Sequence, residues 1–170
     1  MKMAKIKSVG VLGAGTMGSA IAQHFCMKGL DVILVDQNQP AVDRGMGLIR
    51  SSLEDARTKR VMTEEEFSSA LSHVHCSTNA SDLNAAQLVV EAIFEDLTAK
   101  RKAFQNLESI VSGSCILASN TSSFLISDLA EGLKKPERLI GVHYFYHAAK
   151  NKLVEVIPWH HTAPETVKTI

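Results

Sequence analysis

The segment Gly13-Ala14-Gly15-Thr16-Met17-Gly18 constrains this chain more than any other part of it. It fits the pattern G-x-G-x-x-G, and its setting gives the pattern meaning. Before it lies an apolar, β-branched run, Ile6 to Leu12; after it Met17, Ala20, Ile21, His24 and Phe25 recur at helical spacing as far as Lys28, and Gly29 stops the helix. Each glycine answers a steric demand: Gly13 a tight turn, Gly15 the approach of the main chain to a pyrophosphate, Gly18 the packing of helix on strand. The first helical residues, Thr16 and Met17, then offer unpaired N–H groups and the positive end of a helix dipole to phosphate oxygens. Asp36 ends the next apolar run, Val32 to Val35, eighteen residues after Gly18. A carboxylate there accepts hydrogen bonds from ribose hydroxyls and repels a 2′-phosphate, and Gln37 and Asn38 beside it bring no arginine to accommodate one. These residues predict a dinucleotide-binding turn that takes NAD in preference to NADP. The competing reading, a plain strand–turn–helix with a capping aspartate, explains neither the third glycine nor the spacing to Asp36.

The remainder alternates in the same way. Pro40 opens a long helix reaching about Arg60, and Thr63 with Glu66 forms a capping box for a second one to Leu71, so a helical hairpin is inserted after the second strand. Val74–Ser77, Leu88–Glu91, Ser114–Ser119, Leu139–His143 and Leu153–Ile157 read as strands. Thr98–Val111 and Ile126–Leu133 read as helices, and a last helical pattern starts at Thr162. Strands alternating with helices imply an α/β fold of the Rossmann type, doubly wound, with a mainly parallel sheet and helices on both faces. Residues 1–170 form one domain on this reading, and a finish inside a helical pattern predicts that the sequence is part of a longer protein.

Composition narrows the function. Lys plus Arg and Asp plus Glu balance at 18 each, which argues against nucleic-acid binding, since gripping a phosphate backbone needs a basic surplus. No run approaches the roughly 18 apolar residues of a membrane span. The start is basic but lacks the apolar core of a signal peptide, so a cytoplasmic protein is expected. Cys26, Cys76 and Cys115 are odd in number and widely spaced, which predicts free thiols rather than a disulfide framework or zinc site. His73 with His75, on one strand face, and the adjacent His160 and His161 lack a carboxylate or cysteine set at ligand spacing, so no metal is expected.

Three later segments carry chemistry: Val90-Glu91-Ala92-Ile93-Phe94-Glu95 followed by Lys100; Ala118-Ser119-Asn120-Thr121-Ser122-Ser123; and Arg138 through His143 to Ile157. Oxidising an alcohol with NAD requires a base for the hydroxyl proton, a role suited to histidine. His143 ends one strand and Glu155 lies in the next, so the two meet if the strands are neighbours, and the carboxylate would then orient the ring. Ser122 can donate to the reacting oxygen. Spacing alone leaves open a core or loop histidine at 143, an exposed helix-start pair at Glu95 and Lys100, and a solvated helix face at Ser52 and Lys59.

Taken in order, GAGTMGSAIAQHF, VVEAIFED, ASNTSS and ERLIGVHYF…KLVEVI resemble the N-terminal domain of the 3-hydroxyacyl-CoA dehydrogenases, over nearly the whole chain from Ile6 to Ile157. The resemblance implies oxidation of (S)-3-hydroxyacyl-CoA by NAD to 3-ketoacyl-CoA, or the reverse. It implies His143 as catalytic base, Glu155 as its partner, and Ser122 between nicotinamide and substrate oxygen. It also implies cofactor contacts at Glu95 and Lys100, and coenzyme A contacts at Ser52 and Lys59. The family continues into a helical domain, absent from this sequence, that supplies much of the acyl-CoA site and the homodimer contact.

One departure stands out. The family usually reads Phe-Asn-Pro where this chain has Phe145-Tyr146-His147. A phenol cannot copy a compact amide that both donates and accepts, so the contact near the nicotinamide should differ. That substitution and the missing helical domain motivate a second reading, a non-catalytic NAD(H)-binding module; a third is a relative acting on a free hydroxy acid. Ser52 and Lys59 speak against the latter.

Overall fold

A computed structural model describes residues 5–170. The first strand, β1 (Ser8–Leu12), runs through the glycine turn into α1 (Thr16–Cys26), and the chain returns as β2 (Asp31–Val35). The hairpin follows as α2 (Gln39–Thr58) and α3 (Glu64–Ser72), leading into β3 (Val74–Ser77). After a 3-10 turn at Ala80–Ala85 come β4 (Leu88–Glu91), α4 (Leu97–Ile110), β5 (Ile116–Ser119) and the single turn α5 (Ile126–Leu129). The chain closes with β6 (Leu139–Tyr144), β7 (Val154–Ile157) and α6 (Pro164–Thr169). Elements match the sequence reading to within a few residues at their ends; the 3-10 turn was not expected, because its polar sequence has no period. Asn38 caps α2 by accepting from the Ala41 N–H at 3.0 Å, and the predicted capping box forms at Thr63 and Glu66.

The strands lie in the order β3-β2-β1-β4-β5-β6-β7, parallel except for β7, which pairs antiparallel with β6. Alternate residues point to opposite faces of each strand. Val9, Val11, Val32, Leu34, Val90 and Ala118 pack with Ile21, Ile49 and Leu53 on one face. Val89, Leu117 and Leu139 pack with Leu83, Phe104, Leu107 and Leu129 on the other. Both faces are therefore apolar, the condition that confines a parallel sheet to a doubly covered layer. Because β2 and β4 flank β1, their crossovers leave on opposite sides, and a crevice opens at the carboxyl ends of β1 and β4, where such sheets bind ligands.

His73 departs from expectation. It caps α3, and its Nδ1 lies 2.8 Å from the Asp31 carboxylate, so it does not share a strand face with His75. No three His, Cys, Asp or Glu side chains gather as a metal set among the described residues. All three cysteines are free; burial pushes the thiols of Cys26 and Cys115 up to about 11, which makes them packing groups. No helix among the described residues is long and apolar enough to cross a membrane.

Candidate active site

The glycine turn has the geometry its sequence demands. Gly13 adopts φ +109°, and a Cβ there would meet the Ala92 carbonyl oxygen at 2.5 Å. A Cβ on Gly18 would meet the Gly13 carbonyl oxygen at 1.8 Å, so this glycine serves helix–strand packing and does not face the crevice. At Gly15 a Cβ would meet no described atom within 4 Å; that open space is the one a pyrophosphate needs. Gly15 is also the N-cap of α1, with no side-chain cap and no acidic residue in the first turn, so the helix end is left to an anion.

Asp36 leaves the end of β2 and closes the turn from the side. Its Oδ2 accepts from the Ala14 N–H and its Oδ1 from the Gln37 N–H, each at 2.7 Å. The carboxylate keeps a lone pair on each oxygen for a ribose hydroxyl. It lines a cavity of about 770 Å³ with Gly15, Thr16, Ala41 and Arg44. The sequence reading looked for an arginine beside Asp36 and missed Arg44, which α2 carries back toward the turn. Its position one and a half turns into a helix that starts just after Asp36 was the available signal.

A second cavity, about 580 Å³, continues from the first and shares Gly15, Thr16 and Ala92 through Phe94 with it. Met17, Glu95, Lys100, Ser122, His143 and Tyr146 line it. The ends of β1, β4, β5 and β6 thus bring together residues that lie more than a hundred positions apart. His143 and Glu155 are register partners of the antiparallel pair, and His143 Nδ1 lies 2.8 Å from Glu155 Oε2. That bond orients the ring and leaves Nε2 without a partner in the contact. Asn120 joins the strands behind them, donating its N–H to the Glu91 carbonyl and accepting through its side chain from the Tyr144 N–H, both at 2.9 Å.

The exposed-pair reading of Glu95 and Lys100 fails for the lysine. Its side chain is 1% exposed, and its ammonium contacts Glu91 at 2.6 Å, Glu95 at 3.1 Å and the Ile93 carbonyl at 3.3 Å. Periodicity could not show this, because position 100 reads as solvent-facing until the ends of β4 and β5 close over it. Partial burial pushes the Glu95 carboxyl up, but the Thr121 hydroxyl and the Lys100 ammonium outweigh it and hold the group below the usual range.

Ser52 and Lys59 sit apart from this cavity. Ser52 lines a separate cleft of about 380 Å³ that touches the second cavity at Thr16 and Tyr146, and its buried hydroxyl has no partner among the described residues. Lys59 does not line that cleft; its ammonium pairs with Asp55 at 2.8 Å. Tyr146, 67% exposed, stands between the two spaces.

Comparison with known proteins identifies the family that shares this sequence and fold. The family model described as "3-hydroxyacyl-CoA dehydrogenase, NAD binding domain" matches residues 8–170. The chain is 38% identical over 160 residues to the 3-hydroxybutyryl-CoA dehydrogenase of Clostridioides difficile, covering 94% of this chain and 57% of that one. It is 40% identical over 161 residues to a probable 3-hydroxybutyryl-CoA dehydrogenase of Deinococcus radiodurans, covering 95% and 58%. The crystal structure of the (S)-3-hydroxybutyryl-CoA dehydrogenase of Ralstonia eutropha superposes with a TM-score of 0.94 at 38% identity, covering 96% of this chain and 58% of that one. The chain thus spans a little under three-fifths of the length of these relatives.

Proposed function

The chain belongs to the 3-hydroxyacyl-CoA dehydrogenase family, matching it through the NAD-binding domain, and from that premise we propose that it serves the NAD-dependent oxidation of (S)-3-hydroxyacyl-CoA to 3-ketoacyl-CoA, or the reverse reduction. The observation that carries the reading is the His143–Glu155 pair, 2.8 Å apart, whose histidine lines a cavity continuous with the glycine turn.

Each residue has a task that follows from its place. The amides at the start of α1 hold the pyrophosphate, and Asp36 accepts from the adenosine ribose and turns away a 2′-phosphate. Bound NAD supplies the hydride acceptor. His143 takes the hydroxyl proton at Nε2 as the adjoining C–H bond gives up its hydride, and Glu155 stabilises the imidazolium that forms. Ser122 donates to the substrate oxygen from the same cavity. Ser52 lies where the coenzyme A portion would run, along the cleft beyond Tyr146, and Lys59 stands further out on α2. These residues build one wall of an acyl-CoA cleft; the family's helical domain would supply the facing wall and the homodimer contact. Free thiols on all three cysteines fit a cytoplasmic setting.

The test is to mix the protein with NAD and a short (S)-3-hydroxyacyl-CoA and follow NADH absorbance. NADH formation that disappears in His143→Gln supports the reading. Formation that survives the substitution removes His143 as base, equal rates with the free hydroxy acid remove the coenzyme A assignment, and appreciable NADH formation excludes a pure binding module.

A further inference from the structure

Five polar side chains close a ring of contacts behind the second cavity. Glu91, 0% exposed, accepts through Oε1 from the Lys100 ammonium at 2.6 Å and the Ile93 N–H at 2.8 Å. Its Oε2 accepts from the Ser119 hydroxyl at 2.7 Å, and Ser119 Oγ accepts in turn from the Thr121 N–H at 3.3 Å. The Thr121 hydroxyl donates to Glu95, whose other oxygen lies 3.1 Å from the same ammonium. Each hydrogen-bond partner of Glu91 in this ring donates to it. The Lys100 ammonium donates to Glu91 and to the Ile93 carbonyl and forms an ion pair with Glu95.

The charges do not cancel. Two carboxylates surround one ammonium, so the ring carries one net negative charge. Glu91 is fully buried and takes the shorter contact to Lys100, whereas the Glu95 side chain is 37% exposed and lines the cavity with His143 and Ser122. A nicotinamide that accepts hydride from a carbon whose oxygen is held by His143 must occupy that cavity. Its ring carries a positive charge when oxidised and none when reduced, while the rest of the dinucleotide is equally charged in both forms.

We propose that the Glu91–Lys100–Glu95 cluster biases the cavity toward oxidised cofactor, with Glu91 as the positioning residue that neutralises Lys100 and leaves the charge of Glu95 unbalanced. The inference rests on NAD binding and on the nicotinamide lying beside His143; it does not depend on which alcohol is oxidised. One charge within several ångströms, at the effective dielectric of a partly open site, corresponds to a preference of about tenfold.

The experiment measures equilibrium affinities of the purified protein for NAD and for NADH, separately and without substrate, by calorimetry. Glu91→Gln keeps the shape and removes the charge, so the affinity ratio of NAD to NADH should fall by about tenfold. Combining it with Lys100→Met restores a single net negative charge, and the ratio should return to within about twofold of the original. A Glu91→Gln protein in which both affinities weaken by the same factor would overturn the proposal, because a purely structural role moves both alike. Where Glu91→Gln does not melt cooperatively, Glu95→Gln makes the same charge change at the cavity wall, and an unchanged ratio there also overturns it. An original protein that turns over no acyl-CoA while its variants show the ratio shift would count against the catalytic reading alone. An original protein that binds neither form of the cofactor would overturn both.

Discussion

His143 and Glu155 are cross-strand partners: the register of β6 against β7 sets them opposite each other, and the ring nitrogen Nδ1 lies 2.8 Å from the carboxylate Oε2. This is the one antiparallel pair of the described sheet. Twelve residues of chain separate the two groups, and a return strand, rather than a crossover helix, brings the carboxylate back to the histidine.

Replacing His143 by Gln should cut turnover by about 10³-fold or more and leave NAD affinity nearly unchanged, because the ring contributes to proton transfer rather than to cofactor binding. Glu155→Gln keeps an acceptor for Nδ1–H but loses the charge opposite the imidazolium, so a smaller fall in kcat, about 10- to 100-fold, is expected. Steady-state kinetics beside cofactor titration checks both, and a Glu155→Gln protein as slow as His143→Gln would show that the carboxylate does more than orient the ring.

Gly15 and Gly18 should separate binding from folding. A methyl at Gly15 enters open space, so Gly15→Ala should leave thermal stability nearly unchanged and weaken NAD binding by tenfold or more, on the order of 1.4 kcal/mol. A methyl at Gly18 would lie 1.8 Å from the Gly13 carbonyl oxygen, so Gly18→Ala should destabilise the fold by about 2 kcal/mol or more. Melting curves and cofactor titrations of the two variants should give opposite patterns.

Asp36→Ala removes the acceptor for the Ala14 and Gln37 N–H groups, and with it the proposed ribose contact. NAD affinity should fall by about tenfold. NADP should lose far less, since the repelling charge is gone and Arg44 lines the same cavity. Paired titrations with the two dinucleotides test this; an unchanged preference for NAD would mean that Asp36 serves the turn and not the selection.

Ser52→Ala deletes a buried hydroxyl that has no partner among the described residues, so stability should stay level or rise by up to about 1 kcal/mol. In a protein that turns over acyl-CoA, KM for that substrate should rise several-fold with NAD affinity unchanged. An unaltered KM would leave Ser52 as packing on α2.

Acid stability should depend on Glu108. Burial pushes its carboxyl up, but the main-chain N–H groups of Lys134 and Lys135, at 2.8 and 2.9 Å, and Arg138 beside it outweigh that effect and hold it below the usual glutamate range. A carboxyl depressed in the folded state contributes its stability above its unfolded value, about 4.3, and loses it as pH falls through its own. Glu108→Gln should therefore melt lower than the original protein at pH 7, by about 1–2 kcal/mol of stability, and the gap should close below about pH 4. A gap that stays constant down to pH 3 would rule out this linkage.

The sequence by itself determined the layered α/β architecture, the glycine turn and the acidic residue at the end of β2. Each of these leaves a local pattern: the positive φ of Gly13 and the contact of Gly18 with the Gly13 carbonyl arise within a few residues, and apolar period, run length and flanking glycine or proline separate strand from helix. The tertiary structure decided the rest. It turned Lys100 from a solvent-facing helix residue into a buried cation between two carboxylates, brought Arg44 into the adenosine-side cavity, set Lys59 outside the cleft that holds Ser52, and gave Glu155 its place across from His143. The physical reason is that a charged side chain's partner is chosen by which strand ends pack together. That choice depends on contacts between residues distant in the chain, which no local pattern records.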